Sequence, residues 1–274
     1  LESMAIGVIT SLSRDPEAAL RRVKKMGIST VQLSSPSYEL LQAGRAEELR
    51  EIAKRLGIEI TTVFCGYSGE SYKDIETIRR TVGLLNPQFR EARIERTLQI
   101  SDFAKRLGVD KIATHMGFIP ESREDPMYGE LVEAVRRIAD RCATNGQSFC
   151  LETGQESART LLGFIKDVAR PNIKVNFDPA NMVLYGSGDP IEALELLGRY
   201  VVGVHCKDGN WPTKPGLLGE ETPLGEGNVN IEAFVQKLKQ IGYTGPLIIE
   251  REITGEEQTR DILKAKELLR RLRG

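Results

Sequence analysis

Short β-branched or apolar runs alternate with longer amphipathic stretches along the whole chain, and they do so eight times. The runs are MAIGVIT (4–10), TVQLSS (30–35), IEITTVFC (58–65), DKIATHM (110–116), SFCLET (148–153), IKVNFD (173–178), YVVGVHC (200–206) and PLIIER (246–251). Each run has strand length and strand composition, and each is followed by a helical stretch, which is the sequence form of repeated βα units. Eight such units close naturally as a (β/α)8 TIM barrel. Helix punctuation agrees: Asp15-Pro16 opens a first helix that ends at Met26-Gly27, while Leu56-Gly57 and Leu107-Gly108 end two others. No Pro/Gly/Ser-rich linker or charge block divides the chain, so residues 1–274 read as a single domain, with Leu1 to Ser3 ahead of Met4 as an added remnant. Two connections, 66–90 and 207–230, exceed the usual short loop and are expected to be functional or lid-like, both at the same end of the barrel.

Four acid or imidazole side chains interrupt the last four apolar runs: Glu152 in FCLETG, Asp178 in IKVNFDPAN, His205 in VVGVHCKDG and Glu250 in PLIIERE. Burying even one such charge without compensation costs several kcal/mol, so four of them on neighbouring strands call for a cation. Side chains alternate along a strand. Glu152 therefore shares a face with Cys150 and Ser148, Asp178 with Asn176, His205 with Gly203 and Val201, and His115 with Ala113. The other parity carries Val175, Phe177, Val202, Val204, Ile112, Thr114, Leu247 and Ile249, which suits the layer between sheet and helices. The five singled-out residues thus point into the barrel at the C-terminal strand ends, where barrel enzymes keep their active sites.

Three carboxylates and a neutral imidazole suit one divalent ion such as Mn²⁺, Mg²⁺, Co²⁺ or Zn²⁺. The absence of thiolate argues against a structural zinc, and Cys206 has the wrong parity to be a ligand. A metal on the oxygens of a ketose would stabilise an enediolate, with Glu152 and Glu250 on different strands as the proton-transfer pair. His115 is either a hydrogen-bonded core residue or a substrate contact. Lys207 and Asp208 either orient substrate or stabilise the following loop, and Trp211 either covers the pocket or plugs the loop against the rim. In PLGEGNVN the lone GxG is a weak phosphate signal; a tight loop leading to a helix at Ile231, capped by Asn230, is the expectation.

Composition excludes more than it assigns. Lysine plus arginine number 38 against 39 aspartate plus glutamate, a net charge of −1, so nothing attracts the chain to nucleic acid or an anionic membrane. No run approaches the roughly 18 apolar residues of a membrane span. The four cysteines form no CxxC pair and read as reduced thiols, which points to the cytoplasm.

At CLETG, VNFDPAN, VGVHCKDG and PLGEGNVNIEAFVQKLKQIGYTGPLIIERE the chain resembles the xylose isomerase-like barrel superfamily, in particular its sugar phosphate isomerase/epimerase branch. The resemblance implies a metal held by Glu152, Asp178, His205 and Glu250, with the two glutamates moving the proton. Members include ketose 3-epimerases, hydroxypyruvate isomerases, keto-inositol dehydratases and isomerases, and dehydroshikimate dehydratases. Asn181 stands where ketohexose 3-epimerases usually carry a histidine, Lys207 near where they carry an arginine, and Gln32 where many members have a glutamate. Together with His115 and Trp211, Asn181 and Lys207 are taken as substrate contacts. Endonuclease IV-type relatives bind three zinc ions through several histidines, and the two histidines of this chain cannot furnish that cluster. The resulting expectation is a metal-dependent isomerase or epimerase of a small ketose, polyol or keto acid. A dehydratase using the same chemistry, with His115 or Lys207 as its acid, is the nearest alternative, and a non-catalytic sugar-binding barrel is another. A homo-oligomer is compatible with all three.

Overall fold

The computed structural model describes residues 3–12 and 15–274, so Leu1 and Glu2 of the expected remnant lie outside the described residues. Eight parallel strands close into a barrel: β1 (Ile6–Thr10), β2 (Thr30–Leu33), β3 (Glu59–Cys65), β4 (Lys111–Thr114), β5 (Ser148–Glu152), β6 (Ile173–Phe177), β7 (Val201–Cys206) and β10 (Leu247–Ile249). β10 pairs with β1 and β7, which completes the ring. All eight expected strands are present, most a residue or two shorter. The trimmed ends matter, because His115, Asp178 and Glu250 each follow the last residue of their strand, where the backbone begins to turn toward the mouth.

Among the described residues, ten α-helices accompany the strands. Their starts follow the side-chain chemistry of N-caps: Asp15, Asn86, Asp125 and Ser157 each accept a backbone N–H of the first turn of α1 (Pro16–Lys25), α4 (Pro87–Leu107), α5 (Pro126–Thr144) and α6 (Ala158–Val168). Phe149, Phe164, Phe177 and Phe234 are fully buried between sheet and helices. Each such side chain contributes about 1.5–3 kcal/mol by leaving water.

The two long connections are more ordered than bare loops. Residues 66–90 contain α3 (Ile75–Thr81) and the start of α4, and Glu70 pins the segment by accepting the N–H groups of Tyr67 at 2.9 Å and Gly83 at 2.8 Å. Residues 207–230 contain an antiparallel pair, β8 (Asp208–Asn210) and β9 (Glu220–Thr222). The expected cap of α9 (Ile231–Gln240) is present, with Asn230 accepting the N–H of Ala233 at 3.3 Å.

Strict alternation fails at the start of β7. The β6–β7 register shifts between Val175 and Asn176, so that Val175 faces Val201 while Asn176 faces Gly203. Val201 accordingly packs in the outer core, and Val202 packs inside the barrel with Phe64, Ala113 and Cys150, the reverse of the expectation for those two valines. A bulge places two residues against one, so parity counted from the far end of the strand is displaced by one. Gly203 is needed beyond the bulge: a Cβ there would lie 2.3 Å from Asn176 Oδ1.

Candidate metal centre and active site

The four expected donors converge at the C-terminal mouth. One ligand atom from each of Glu152, Asp178, His205 and Glu250 lies within 4.8 Å of the others. His205 Nδ1 is 2.8 Å from Glu152 Oε1, 3.0 Å from Glu250 Oε2 and 3.3 Å from Asp178 Oδ2. Neighbouring ligands at right angles around an ion with bonds of about 2.1 Å are about 3.0 Å apart, so these spacings match the edge of a coordination polyhedron. Both Glu152 carboxylate oxygens and Glu250 Oε2 are buried and receive no well-aligned hydrogen bond. Close-packed lone pairs with so few aligned donors fit a cation better than a hydrogen-bond network. Cys206 packs in the outer core, away from this cluster.

Local structure divides the work of each ligand. Asp178 is the N-cap of α7 (Pro179–Tyr185): its Oδ1 accepts the N–H of Asn181 at 2.9 Å, which leaves Oδ2 for the centre. Thr153 locks that turn, donating to the Asp178 carbonyl at 2.9 Å and accepting its N–H at 2.8 Å. His205 stacks on Phe64 with ring centroids 5.3 Å apart, and its Nε2 meets Gln32 Oε1 at 2.8 Å. Gln32 in turn donates to Asn176 Oδ1 at 3.1 Å, so its carbonyl oxygen faces the imidazole. Nε2 therefore carries a proton, which leaves Nδ1 as the ring atom that faces the carboxylates. Gln32 is a positioning residue whose importance strand patterning alone did not signal.

Two cations flank the acids. His115 Nε2 lies 2.9 Å from Glu152 Oε2, and Tyr72 of the long β3–α4 connection tilts over the His115 ring at 5.7 Å. Lys207 is buried, with its Nζ 3.2 Å from Asn181 Oδ1, 3.6 Å from Glu250 Oε2 and in a short contact with Glu252. Burial alone would raise the Glu152 carboxyl, but His115 and His205 outweigh it and hold it at about 2. Burial likewise opposes ionisation of Glu250, and Lys207 and His205 overcome it, keeping that carboxyl well below the usual range. For His115, burial favours the neutral ring, yet Glu152 brings it up to about 9. Asp178 goes the other way, because its complete burial outweighs Lys207 and His205.

Asp208 belongs to the fold and not to this cluster. Its carboxylate accepts four backbone N–H groups, from Gly209, Gly225, Gly227 and Val229, at 2.9–3.1 Å, and so staples the PLGEGNVN turn under β8. Gly227 leaves room for it, since a Cβ there would fall 2.3 Å from Asp208 Oδ1. Trp211 lies on the β8–β9 connection, 40% exposed, with its backbone N–H on Asn228 Oδ1. His115, Asn181 and Lys207 each make a polar contact with one of the four donors, whereas Trp211 makes no hydrogen bond to any of them among the described residues. Arg251, next to Glu250, reaches Asp261 at 2.9 Å and Glu221 at 3.2 Å, which ties the last strand to α10 (Gly255–Arg273) and to β9.

Residues 20–272 match the family model described as xylose isomerase-like TIM barrel. Among solved structures, a xylose isomerase domain protein from Planctomyces limnophilus is 43% identical, with a TM-score of 0.92 over 99% of this chain and 97% of that one. Among curated relatives, an uncharacterised protein of Methanocaldococcus jannaschii is 25% identical over 68% of this chain. L-ribulose-5-phosphate 3-epimerase UlaE of Shigella boydii is 33% identical over 39% of it. The chain spans 64% and 36% of the lengths of those two relatives.

Proposed function

Because the chain belongs to the xylose isomerase-like TIM barrel family, we propose that it is a divalent-metal-dependent isomerase or epimerase of a small ketose, polyol or keto acid. The convergence of Glu152, Asp178, His205 and Glu250 on one point carries this reading. The partial likeness to a sugar phosphate epimerase supports the direction of the chemistry. A divalent ion held by these four residues would polarise a substrate carbonyl and offset the negative charge left when the adjacent C–H proton departs.

The chain itself handles the proton. Glu152 ends β5 and Glu250 follows β10, three places apart around the ring, so their carboxyls approach the centre from different sides. Both are held in the ionised form, ready to accept a proton. One removes the α-proton, and the other, after taking a proton from its neighbouring N–H group, returns it to the opposite face, which is what inversion at a carbon requires. His115 on Glu152 and Lys207 near Glu250 each supply an N–H at the edge of the site, placed to bind substrate hydroxyls and to restore the glutamates' proton balance. Tyr72 and the buried setting of the donors limit bulk water.

The test is hydrogen exchange. Mn²⁺-loaded protein in D₂O is expected to wash deuterium into the α-position of a ketose, and Glu152→Gln or Glu250→Gln to slow that exchange by about 10²- to 10⁴-fold. Absence of exchange across a broad panel of ketoses, inososes and 3-keto sugars would overturn the reading. Appearance of an enone absorbance would instead identify a dehydratase.

A further inference from the structure

Beside the metal centre lies a second cavity of about 590 Å³, bordered by Arg79, Phe118, Gln155, Glu156 and Tyr185. The catalytic reading above does not use it, although the two adjoin. Gln155 and Glu156 follow Glu152 on the same loop, and Tyr185 ends the helix that Asp178 caps. Glu156 feels the charges of His115 and Glu152, and Tyr185 those of Lys207, Glu252 and Glu152. The cavity volume falls within the range of small-molecule sites.

Its walls carry buried acceptors without partners. Glu156 is only 6% exposed, and neither carboxyl oxygen has a partner beyond its own backbone among the described residues. Gln155 Oε1 is also buried and unpartnered, because the amide spends its N–H on Tyr185 Oη at 3.3 Å. Buried acceptors of this kind have lost their water without compensation until a donor arrives. Phe118 and Tyr185 meet edge to face at 6.0 Å and offer apolar ring surface beside those acceptors. The charge is wrong for an anion: Glu121 and Asp125 line the cavity against a single guanidinium, Arg79, which already lies 4.0 Å over the Phe118 ring. Hydroxyl donors together with C–H faces describe a sugar ring, whereas a phosphate brings negative charge and mainly acceptor oxygens.

We propose that this cavity is a second subsite for an uncharged, hydroxyl-rich group, so that the substrate is a ketose or keto-sugar extended by a glycosyl unit and not a phosphorylated one. Glu156 and Gln155 accept its hydroxyls, and Phe118 carries its apolar face. The inference rests on the isomerase reading, since it places the reacting end of the same molecule at the metal centre.

Isomaltulose and fructose 6-phosphate carry a glucosyl group and a phosphate on the same oxygen of fructose, which makes a matched test. Titration calorimetry on Mn²⁺-loaded protein is expected to show isomaltulose binding about tenfold or more tighter than fructose, and fructose 6-phosphate no tighter than fructose. In Glu156→Ala and Phe118→Ala the isomaltulose-to-fructose affinity ratio is expected to fall toward one. Mn²⁺ titration of the same samples reports that each variant is folded, and Glu156→Gln provides a milder substitution. Equal affinity for isomaltulose and fructose, or tighter binding of the phosphate, overturns the subsite while leaving the isomerase reading standing. Mn²⁺ binding with no sugar binding of any length overturns both.

Discussion

Glu156 shows how one buried side chain sets a pH dependence. Burial pushes its carboxyl up to about 8, against an ordinary value of 4.5. Below about pH 4.5 folded and unfolded chains both carry the proton, and the group costs nothing. Between 4.5 and 8 the unfolded chain releases the proton while the folded one keeps it, so stability falls as pH rises, by a few kcal/mol in all. Glu156→Gln removes this term, and denaturant unfolding should find the variant more stable than the parent at pH 8, with the advantage shrinking toward pH 4.5. An advantage that stayed constant across that range would show that the carboxyl titrates normally. Asp178 illustrates the complementary economy, one oxygen capping a helix and the other facing the centre. Its place at a strand end announced the second role, while the first, as the cap of α7, became visible only in the folded chain. Gln32 and Glu156 were less legible, because a lone amide inside a strand and an acid in a loop look alike whether solvated or buried until the chain is folded.

Among the elements, the β8–β9 pair and the turn after it depend most on a single group. Asp208→Ala would leave four N–H groups without their acceptor, two of them on glycines of the turn. A loss of about 3 kcal/mol or more is expected, together with faster proteolytic cleavage between residues 208 and 229. Thermal unfolding and limited proteolysis would measure the two effects, and a variant that matched the parent in both would show that the turn holds itself. The neighbouring Arg251 brace, on Glu221 and Asp261, links this hairpin to the segment that presents Glu250. Residues 66–90 and 207–230 were legible as long connections but not as a helix and a hairpin. Seven helical residues and two three-residue strands are too short to produce a clear period, and their stability comes from pinning by Glu70 and Asp208.

For the whole molecule, the centre couples ligand binding to folding. Three carboxylates and one imidazole crowded around His205 Nδ1 repel or desolvate one another more than they attract unless a cation joins them. A folded-state site stabilises the protein by mass action, about 2.7 kcal/mol at a free metal concentration of 100 Kd. Dialysis against a chelator should therefore lower the Tm, and Mn²⁺ should restore it in a concentration-dependent way. Asp178→Asn should remove most of that dependence. A Tm indifferent to Mn²⁺ in the parent protein would mean the four donors hold no ion.

The sequence by itself determined the eight-fold alternation, the closure it demands, and the four polar interruptions at strand ends, because periodicity and capping are local and repeat with the backbone. Tertiary structure alone decided which neighbours meet. The β7 bulge exchanged Val201 and Val202 between the two faces, Gln32 came under His205 from across the barrel, and Glu156 lost its water against a cavity wall. Each of these depends on contacts between residues distant along the chain, and no local pattern records a partner that only packing supplies.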